Sequence, residues 1–371
     1  MSQPVIGVDL RALVGAPSGI GVFTLALLSR LAEQGRADYL GMAHAPVAAA
    51  QELSRLGVRI EHHPAPLGVI WQQLLLPRRL RRGDVDLFWS PLLTLPPRLE
   101  IPSVVTVHDL TPLLYPETHS LKVRLSILPF LRRTLDEAGR VVVDSESTAA
   151  DLRIQFPDCA QKIRVVYPGV DAVFRPGEKD DISTTRHEIG CSEGYILHVG
   201  TIEPRKNIAF LLDAWEALRR ADPTTPPLVL VGAYGWRSRA LLSRIRRLER
   251  TGGLIYLDRV DRSRLVLLLQ AASIFVLPSL YEGFGLPAAE AMACGIPTVV
   301  TATSSLPEVV GQDGLTVELG DASGLARAMQ RLWNDRALAR ALGARGRKRA
   351  QRFDWGRAAE AMERIFEEAL R

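Results

Sequence analysis

The sequence predicts an α/β protein with two Rossmann-like domains, each a parallel sheet covered by helices. Two observations support this fold class. Short apolar runs that suit buried strands alternate with longer segments of helical periodicity, and this series occurs twice along the chain. A stretch from Tyr167 to Thr185, rich in proline, glycine and charge, separates the two series and is typical of an interdomain connection. The length, 371 residues, allows two domains with separate cores.

The first series opens with a predicted strand over Val5–Asp9, a glycine-bearing turn and a helix. The turn reads Ser18-Gly19-Ile20-Gly21, and glycines there let backbone N–H groups approach phosphate or sugar oxygens. It lacks the full dinucleotide fingerprint because Thr24 occupies the third glycine position, so a purely conformational role for the glycines stays open. The further strands expected in this half are Asp38–Ala43, Val58–His62, Val85–Trp89, Ser103–Val107 and Val141–Asp144.

The second series opens with a predicted strand over Tyr195–Val199. Its further strands are Leu228–Val231, Leu254–Leu257, Ile274–Leu277, Pro297–Val300 and Leu315–Glu318. Helices are expected from about Asp321 and from about Asp335 towards the arginine-rich C-terminus.

The most informative stretch is Tyr281–Glu290, which directly follows a predicted buried strand. Gly283 and Gly285 allow a ligand to approach the backbone closely, and the proline after them suits a helix start. Ligands of open α/β sheets bind at the carboxyl ends of strands, and helix starts favour anions. Glu282 and Glu290 are therefore candidate site residues. The structural alternative is a glutamate that only complements the helix dipole, which contributes about 0.3–1 kcal/mol.

Two cations are expected at the same sheet edge. Arg205 and Lys206 follow a strand and Gly200 at the entrance to a helix. The planar fork of arginine and the compact charge of lysine suit a diphosphate, although an exposed loop pair is the alternative. With a carboxylate such as Glu290 to accept the two ribose hydroxyls, they predict a site for a nucleoside diphosphate.

Polar residues elsewhere carry weaker signals. His108 leaves the strand Ser103–Val107 at its carboxyl end, where substrate would bind, but a lone histidine is more often structural. Asp84-Val85-Asp86 resembles a pair for a metal-bound nucleotide. Because it precedes its strand rather than following it, we interpret it as a turn.

Composition sets limits on the class of protein. The formal net charge of +5 suits an anionic ligand, an anionic membrane or nucleic acid, and selects none of them. Three cysteines without metal-ligand spacing argue against a disulfide framework and favour a reducing, cytoplasmic setting. The longest uncharged run, Leu265–Tyr281, divides into a helix and a strand better than it forms a membrane span.

Two basic, leucine-rich segments of the first half are candidates for peripheral membrane contact. Trp71–Arg82 carries the cluster Arg78-Arg79-Leu80-Arg81-Arg82 beside apolar residues. Ser120–Glu137 is similar, and Pro129 is expected to kink it. A packed helix with a solvated basic face is the alternative for both segments.

Four motifs, in order along the chain, resemble those of the retaining glycosyltransferases of family 4. They are Ser18-Gly19-Ile20-Gly21, Val107-His108-Asp109-Leu110-Thr111-Pro112, Val199-Gly200-Thr201-Ile202-Glu203-Pro204-Arg205-Lys206-Asn207 and Glu282-Gly283-Phe284-Gly285-Leu286-Pro287-Ala288-Ala289-Glu290. The last matches the family's Glu-x7-Glu signature and is the most specific. The resemblance covers nearly the whole chain and implies the GT-B fold, in which two Rossmann-like domains face each other.

The resemblance implies roles for the residues of the Glu-x7-Glu stretch. Glu290 is expected to bind the ribose hydroxyls. Glu282 is expected beside the donor sugar, together with the backbone of Phe284, Gly285 and Leu286.

Roles for the other motifs follow from the same resemblance. Arg205 and Lys206 are expected to face the diphosphate, with Gly19 and Gly21 closing over it from the other domain. His108 is expected to approach the transferred sugar.

One position departs from the family pattern. Many members have an arginine directly after the glycine equivalent to Gly200, and this chain has Thr201. Arg205 is the residue that could replace the missing charge. The nucleotide base is expected near Arg259-Val260, where Val260 offers mostly backbone contacts.

The resemblance also implies domain boundaries and chemistry. The expected acceptor domain is residues 1–170, the nucleotide-sugar domain 171–352, and the segment 353–371 a helix that returns to the first domain. Cations and helix-start amides would stabilise the leaving nucleoside diphosphate, so no metal and no other cofactor are expected. Glu282 is not expected to act as a nucleophile, because this family is thought to react on one face of the sugar.

The motifs look most like those of bacterial mannosyltransferases of polysaccharide or lipid-linked oligosaccharide assembly. We therefore expect transfer of mannose from GDP-mannose to a saccharide or polyprenyl-linked acceptor, in the cytoplasm or at the inner face of the membrane, without nucleic acid as a partner. UDP- or dTDP-sugar donors stay open, as does a nucleotide-sugar epimerase or hydrolase on the same fold. An oxidoreductase is disfavoured by Thr24, and a non-catalytic binding protein by the retained Glu282, Glu290, Arg205, Lys206 and His108.

Overall fold

Two units, each built around one parallel sheet, make up the chain. The computed structural model describes residues 3–15, 19–236 and 238–371, apart from the side chain of Lys122. The first unit consists of Met1–Gly169 with Asp354–Arg371, and the second of Val170–Phe353. These division points lie one residue from the boundaries expected after residues 170 and 352.

The first unit contains a sheet of seven parallel strands in the order β3-β2-β1-β4-β5-β6-β7. Its strands are β1 (Val5–Asp9), β2 (Asp38–Ala43), β3 (Arg59–His62), β4 (Leu87–Ser90), β5 (Ser103–Val107), β6 (Arg140–Val143) and β7 (Ile163–Val165). Its helices before the chain leaves the unit are α1 (Gly19–Gln34), α2 (Ala50–Arg55), α3 (Gly68–Ile70), α4 (Leu76–Leu80), α5 (Thr111–Leu114), α6 (Leu121–Glu137) and α7 (Glu146–Gln155). The strand order reverses between β1 and β4, where open α/β sheets bind ligands.

The second unit contains a sheet of six parallel strands in the order β10-β9-β8-β11-β12-β13. Its strands are β8 (Ile196–Val199), β9 (Leu228–Val231), β10 (Leu254–Leu257), β11 (Ile274–Leu277), β12 (Thr298–Thr301) and β13 (Leu315–Val317). Its helices are α8 (Lys179–Glu188), α9 (Ile208–Ala221), α10 (Arg239–Arg250), α11 (Arg262–Ala271), α12 (Leu286–Ala293), α13 (Leu306–Val310), α14 (Ala322–Asn334) and α15 (Arg336–Ala350). The order of its strands reverses between β8 and β11.

The last helix, α16 (Trp355–Leu370), completes the core of the first unit. It packs beside α1, and the Phe366 ring lies 5.9 Å from the ring of Trp89 on β4. Met362 and Phe366 are buried in this core. Burial of such side chains contributes about 1.5–3 kcal/mol each, which explains why the C-terminal segment belongs to this unit.

The expected strands are present, with ends that differ by at most two residues, and the parallel α/β class is confirmed. Two elements were missed. The polar run expected to belong to the interdomain connection forms α8, because Thr185 is buried and Arg186 donates to the Ala271 carbonyl of α11 at 2.8 Å. The short edge strand β7 (Ile163–Val165) was also missed.

The basic segment Trp71–Arg82 is not a simple amphipathic helix. A π-helical turn, Trp71–Leu75, joins α3 to α4. Leu76 and Leu80 are buried while Leu74 is exposed, so the leucines do not share one face as expected.

The helix α6 is continuous through Pro129. Among residues 3–15, 19–236 and 238–371, the helices are too short or too polar to cross a bilayer.

Candidate active site

Hydroxyl groups after β12 fix the loop between β11 and α12. Because β11 and β12 are parallel neighbours, the residues that follow them meet at the carboxyl edge of the sheet. Thr301 Oγ1 donates to the Ser279 carbonyl (2.6 Å), and Thr303 Oγ1 donates to the Leu280 carbonyl (3.0 Å). Ser305 Oγ donates to the Glu282 and Phe284 carbonyls (2.9 and 2.8 Å). Ser304 Oγ accepts from the Glu282 N–H (2.9 Å). The loop backbone is therefore held without regular secondary structure.

The carboxylate of Glu282 is buried and engaged on both oxygens. Its Oε1 accepts from Lys206 Nζ at 2.6 Å and from Ser279 Oγ at 2.5 Å, and its Oε2 accepts from an Arg205 guanidinium nitrogen at 2.9 Å. Burial alone would raise the pKa of this carboxyl, but Lys206 and Arg205 outweigh it and lower the pKa to about 2. Glu282 is therefore an ionised anchor for the two cations.

The two cations occupy a short 3₁₀ turn after β8. Arg205 also donates to the Glu203 carboxylate at 3.0 Å and to the Tyr281 carbonyl at 3.0 Å. Asn207 ends the turn in the left-handed region, at φ 53°, before α9 begins. Gly200 lies beside this turn, where an added Cβ would be in ordinary van der Waals contact with Lys206 Cδ and Cε at 3.5 Å.

Glu290 has a different environment from Glu282. It lies in the second turn of α12 and is half-buried, and among the described residues its carboxyl forms no hydrogen bond. Burial raises the pKa of Glu290 to about 8; Arg262 opposes this shift and Asp171 adds to it. The carboxyl therefore has both oxygens available to a ligand.

The backbone start of α12 requires glycine. Gly285 precedes the helix at φ 100°, and a Cβ there would lie 2.7 Å from Leu306 Cδ2. Phe284 is buried edge-on against Phe353, with ring centroids 5.0 Å apart. Leu286 is the first helical residue, one earlier than expected from the sequence. Val260 is half-buried just before the N-cap of α11.

Three candidate residues belong to the first unit. Gly19 and Gly21 lie in the first turn of α1, and an added Cβ at Gly19 would meet none of the described residues within 4 Å. The motif's Ser18 falls outside the described residues. His108 follows β5, where its Nδ1 lies 2.6 Å from Asp144 Oδ2 and its Nε2 lies 2.9 Å from the Pro91 carbonyl oxygen.

The structure thus brings Gly200, Arg205, Lys206 and Glu282 together within the second unit, and His108 together with Asp144 in the first. The sequence interpretation missed the hydroxyl-rich run that follows β12, from Thr301 to Ser305. A run of serine and threonine directly after a predicted buried strand was the available signal. The segment Asp84-Val85-Asp86, which we interpret as a turn, is structural, because Asp84 pairs with Arg79 and Asp86 accepts from the Val5 N–H.

Two parallel α/β units, with paired cations and glutamates at the ligand-binding edge of the second, define the GT-B class of glycosyltransferases. Family models agree with this class. Residues 17–174 match the model described as "Glycosyltransferase Family 4", and residues 193–335 match "Glycosyl transferases group 1". The chain belongs to the family 4 glycosyltransferases, and it is an enzyme of the hexosyltransferase type.

Curated relatives include mannosyltransferases. The O-antigen chain mannosyltransferase B of Escherichia coli is 31% identical over 354 residues, which cover 91% of this chain and 93% of that protein. The D-inositol 3-phosphate glycosyltransferase of Streptomyces bingchenggensis is 32% identical over 63% of this chain and 54% of its own length. The serotype-specific mannosyltransferase WbdA of Escherichia coli is 29% identical over 69% of this chain and 32% of its own length.

Solved structures share the fold. HepE of Anabaena, in complex with UDP and glucose, has a TM-score of 0.76 at 20% identity and covers 99% of this chain and 100% of its own. WaaG, a glycosyltransferase involved in lipopolysaccharide biosynthesis, has a TM-score of 0.76 at 15% identity, with 97% and 99% covered.

The hydrogen bonds of Ser305 generate a test of the loop. We expect Ser305→Ala to leave the Glu282 and Phe284 carbonyls without their donor, to destabilise the second unit by about 1–3 kcal/mol and to speed amide exchange over residues 279–286. Hydrogen–deuterium exchange measures the effect. Ser243→Ala, which removes an exposed hydroxyl on α10, is the matched control. Equal exchange in both variants would show that the hydroxyls do not fix the loop.

Proposed function

We propose that the protein is a retaining, metal-independent mannosyltransferase. It moves mannose from GDP-mannose to a saccharide or lipid-linked saccharide during bacterial polysaccharide or glycolipid assembly. The Escherichia coli O-antigen chain mannosyltransferase, aligned over nearly the full length of both chains, supports the sugar and the pathway. The single observation on which the donor site rests is that Arg205 and Lys206 both donate to the carboxylate of Glu282, beside the start of α12.

This cluster suits the diphosphate of a sugar nucleotide. A lysine ammonium has three N–H donors, and the hydrogen bond to Glu282 uses one of those on Lys206. The Glu282 carboxylate fixes both cations before a ligand arrives, so little reorganisation is needed when the leaving diphosphate gains charge. The backbone of Phe284, Gly285 and Leu286 adds N–H groups at the helix start, where anions are favoured.

The electrostatics of Glu282 argue against a covalent mechanism through this residue. Both of its oxygens accept hydrogen bonds from cations or a hydroxyl, and its low pKa makes it a poor general acid. We therefore propose that Glu282 positions Arg205 and Lys206, and that the acceptor hydroxyl attacks the sugar on the same face from which the diphosphate departs. The departing phosphate oxygen then takes the proton of the acceptor hydroxyl, and the anomeric configuration is retained.

Glu290 suits the ribose of the nucleotide. A carboxylate can accept hydrogen bonds from two neighbouring hydroxyls, whereas a protonated carboxyl has less acceptor capacity. Because the pKa of free Glu290 is raised to about 8, ribose binding must displace a proton at neutral pH. Rising pH therefore favours the binding-competent, ionised form.

We expect the affinity for GDP to rise from pH 6 to pH 9, by about tenfold for each pH unit below the pKa of Glu290. Titration calorimetry in buffers of different ionisation enthalpy should detect proton release on binding. Glu290→Ala should weaken binding and flatten the pH dependence, while Lys206→Ala should weaken binding and keep the slope. The exposed Glu318→Gln is the matched control. A pH slope that persists in Glu290→Ala would refute the ribose assignment.

The donor and the metal requirement are tested together. A thermal-shift panel of GDP-, UDP- and dTDP-sugars should show the largest stabilisation with GDP-mannose, since the ligand that binds most tightly raises the melting temperature most. Transfer of mannose with retained configuration, read by NMR of the product, should continue in EDTA. Free mannose without a glycoside would indicate a hydrolase or epimerase. Activity lost in EDTA and restored by Mg²⁺ would contradict metal independence.

The acceptor side of the proposal includes contact with an anionic membrane. Leu67, directly before α3, and Ile70 and Leu74, in the helical segment that runs from α3 to α4, are exposed. Beside them lies a cavity of about 350 Å³, lined by His63, Pro64, Leu75, Arg78, Arg79 and Arg82. Exposed apolar side chains next to cations suit a phospholipid surface.

The charges in this cavity are not equivalent. Glu61 and Asp84 neutralise Arg79, whereas Arg78 and Arg82 are exposed and form no ion pair with the described residues. We expect Arg78→Gln with Arg82→Gln to abolish sedimentation with vesicles that contain phosphatidylglycerol, while wild type does not sediment with phosphatidylcholine vesicles. Arg347→Gln with Lys348→Gln removes the same charge from the second unit. An equal loss in this control would show non-specific attraction rather than docking.

A further inference from the structure

The register of the first sheet places two ionisable side chains next to each other. Val107 of β5 pairs with Val143 of β6, and His108 and Asp144 are the residues that follow this pair. Both therefore leave the carboxyl edge of the sheet side by side. Pro91, whose carbonyl faces the same imidazole, follows β4 on the other side of β5. Three neighbouring strand ends thus surround one histidine.

The geometry limits the protonation states that the pair can adopt. Nδ1 lies 2.6 Å from Asp144 Oδ2, and Nε2 lies 2.9 Å from the Pro91 carbonyl oxygen, which can only accept. With Asp144 ionised, both contacts are satisfied only by the imidazolium ion, whereas a protonated Asp144 would donate to Nδ1 of a neutral ring. Burial raises the pKa of Asp144 and the charge of His108 lowers it, so the charged pair and the neutral pair are the two states that the tests below distinguish.

The surroundings agree with a charged ring. Phe23 of α1 meets the imidazole edge-on at 4.7 Å, and Asp144 and Asp109 are the charged groups that face it among the described residues. Burial lowers the pKa of His108, but Asp144, together with the Pro91 carbonyl and Asp109, outweighs it, so the pKa is raised above its ordinary value. The second oxygen of Asp144, Oδ1, is buried without a hydrogen bond from the described residues, so His108 is its main counter-charge.

We propose that Asp144 is a positioning residue for glycosyl transfer, which holds His108 as a doubly protonated cation. In this state Nε2–H is the only ring donor that can pass from the Pro91 carbonyl to a ligand oxygen. The ring has no lone pair with which to accept a proton. His108 therefore stabilises negative charge and is not a general base. The inference rests on the proposed function only where it places His108 beside the transferred sugar.

This assignment differs from the better-known pairing of a histidine with a carboxylate. In a Ser-His-Asp triad the carboxylate orients a neutral imidazole whose other nitrogen accepts a proton. Here the other nitrogen already faces a carbonyl oxygen at 2.9 Å. The two roles predict opposite charge states of the resting enzyme, so they can be separated by direct measurement.

The first test is NMR of protein labelled with ¹³C at histidine, with His108→Gln used to assign the signal among the seven histidines. We expect the His108 ring to remain an imidazolium through neutral pH in wild type. In Asp144→Asn only the Pro91 carbonyl and Asp109, the weakest of the groups that raise the pKa, still oppose burial, so the pKa of His108 should fall below the ordinary value of about 6.5. A neutral ring in wild type at pH 7, or an unchanged titration in Asp144→Asn, would overturn the proposal.

The second test is the rate of sugar transfer. Asp144→Asn should lower kcat by about tenfold or more with little change in the KM for the donor, and the loss should grow with pH as the His108 cation deprotonates. Asp144→Glu, which keeps the charge, should recover part of the rate. Asp158→Asn removes an exposed carboxylate of the same unit and should behave as wild type. Equal kcat and pH profiles in wild type and Asp144→Asn would contradict the positioning role.

The two tests separate this inference from the proposed function. If wild type transfers no sugar from any donor, the proposed function fails, while the NMR titration still decides the charge state that Asp144 imposes on His108. If wild type transfers sugar and Asp144→Asn folds, with an unchanged far-UV spectrum and melting curve, yet keeps both the rate and the His108 titration, only the inference fails.

Discussion

The buried carboxylate of Glu282 is the interaction on which the donor side of the enzyme depends. Arg205 and Lys206 are adjacent in sequence and mostly withdrawn from water, so their charges would repel each other and resist burial. Glu282 compensates both, and removal of one partner from such a cluster leaves an unpaired buried charge. The backbone of Glu282 is held in turn by two hydroxyl groups, since Ser304 accepts from its N–H and Ser305 donates to its carbonyl. The position of the cations therefore depends on the pairing of β11 with β12.

The two glutamates of the Glu-x7-Glu signature have opposite electrostatics. The pKa of Glu282 is lowered to about 2 and that of Glu290 is raised to about 8, although both lie in one loop-and-helix segment. Partner charges cause the first shift and burial without a hydrogen bond causes the second. One is therefore suited to hold cations permanently, and the other to exchange a proton for a ligand. Sequence spacing identifies the pair but contains no information on this difference.

Much of the fold could be predicted because buried parallel strands are apolar runs, as in Ile274–Leu277, and because these runs alternate with helices along the chain. The exceptions depend on tertiary contacts. The polar helix α8 forms because Arg186 docks on α11, which no local pattern records. Candidate site residues were predicted where a motif named them. Asp144 was interpreted only as the end of a strand, since its importance comes from the neighbour that the sheet register gives it.

Both units use the same structural rule to set charge. A parallel register brings two apolar strands to one edge, and the polar residues at or just beyond their ends meet: His108 with Asp144 in one unit, and Ser279 with Thr301 in the other. These contacts form within each unit and need no ligand. The contact of His108 with Asp144 and the ionised state of Glu282 are thus properties of the resting fold. Because such preorganised charge requires no rearrangement when the transition state develops, it is the kind that lowers a barrier most effectively.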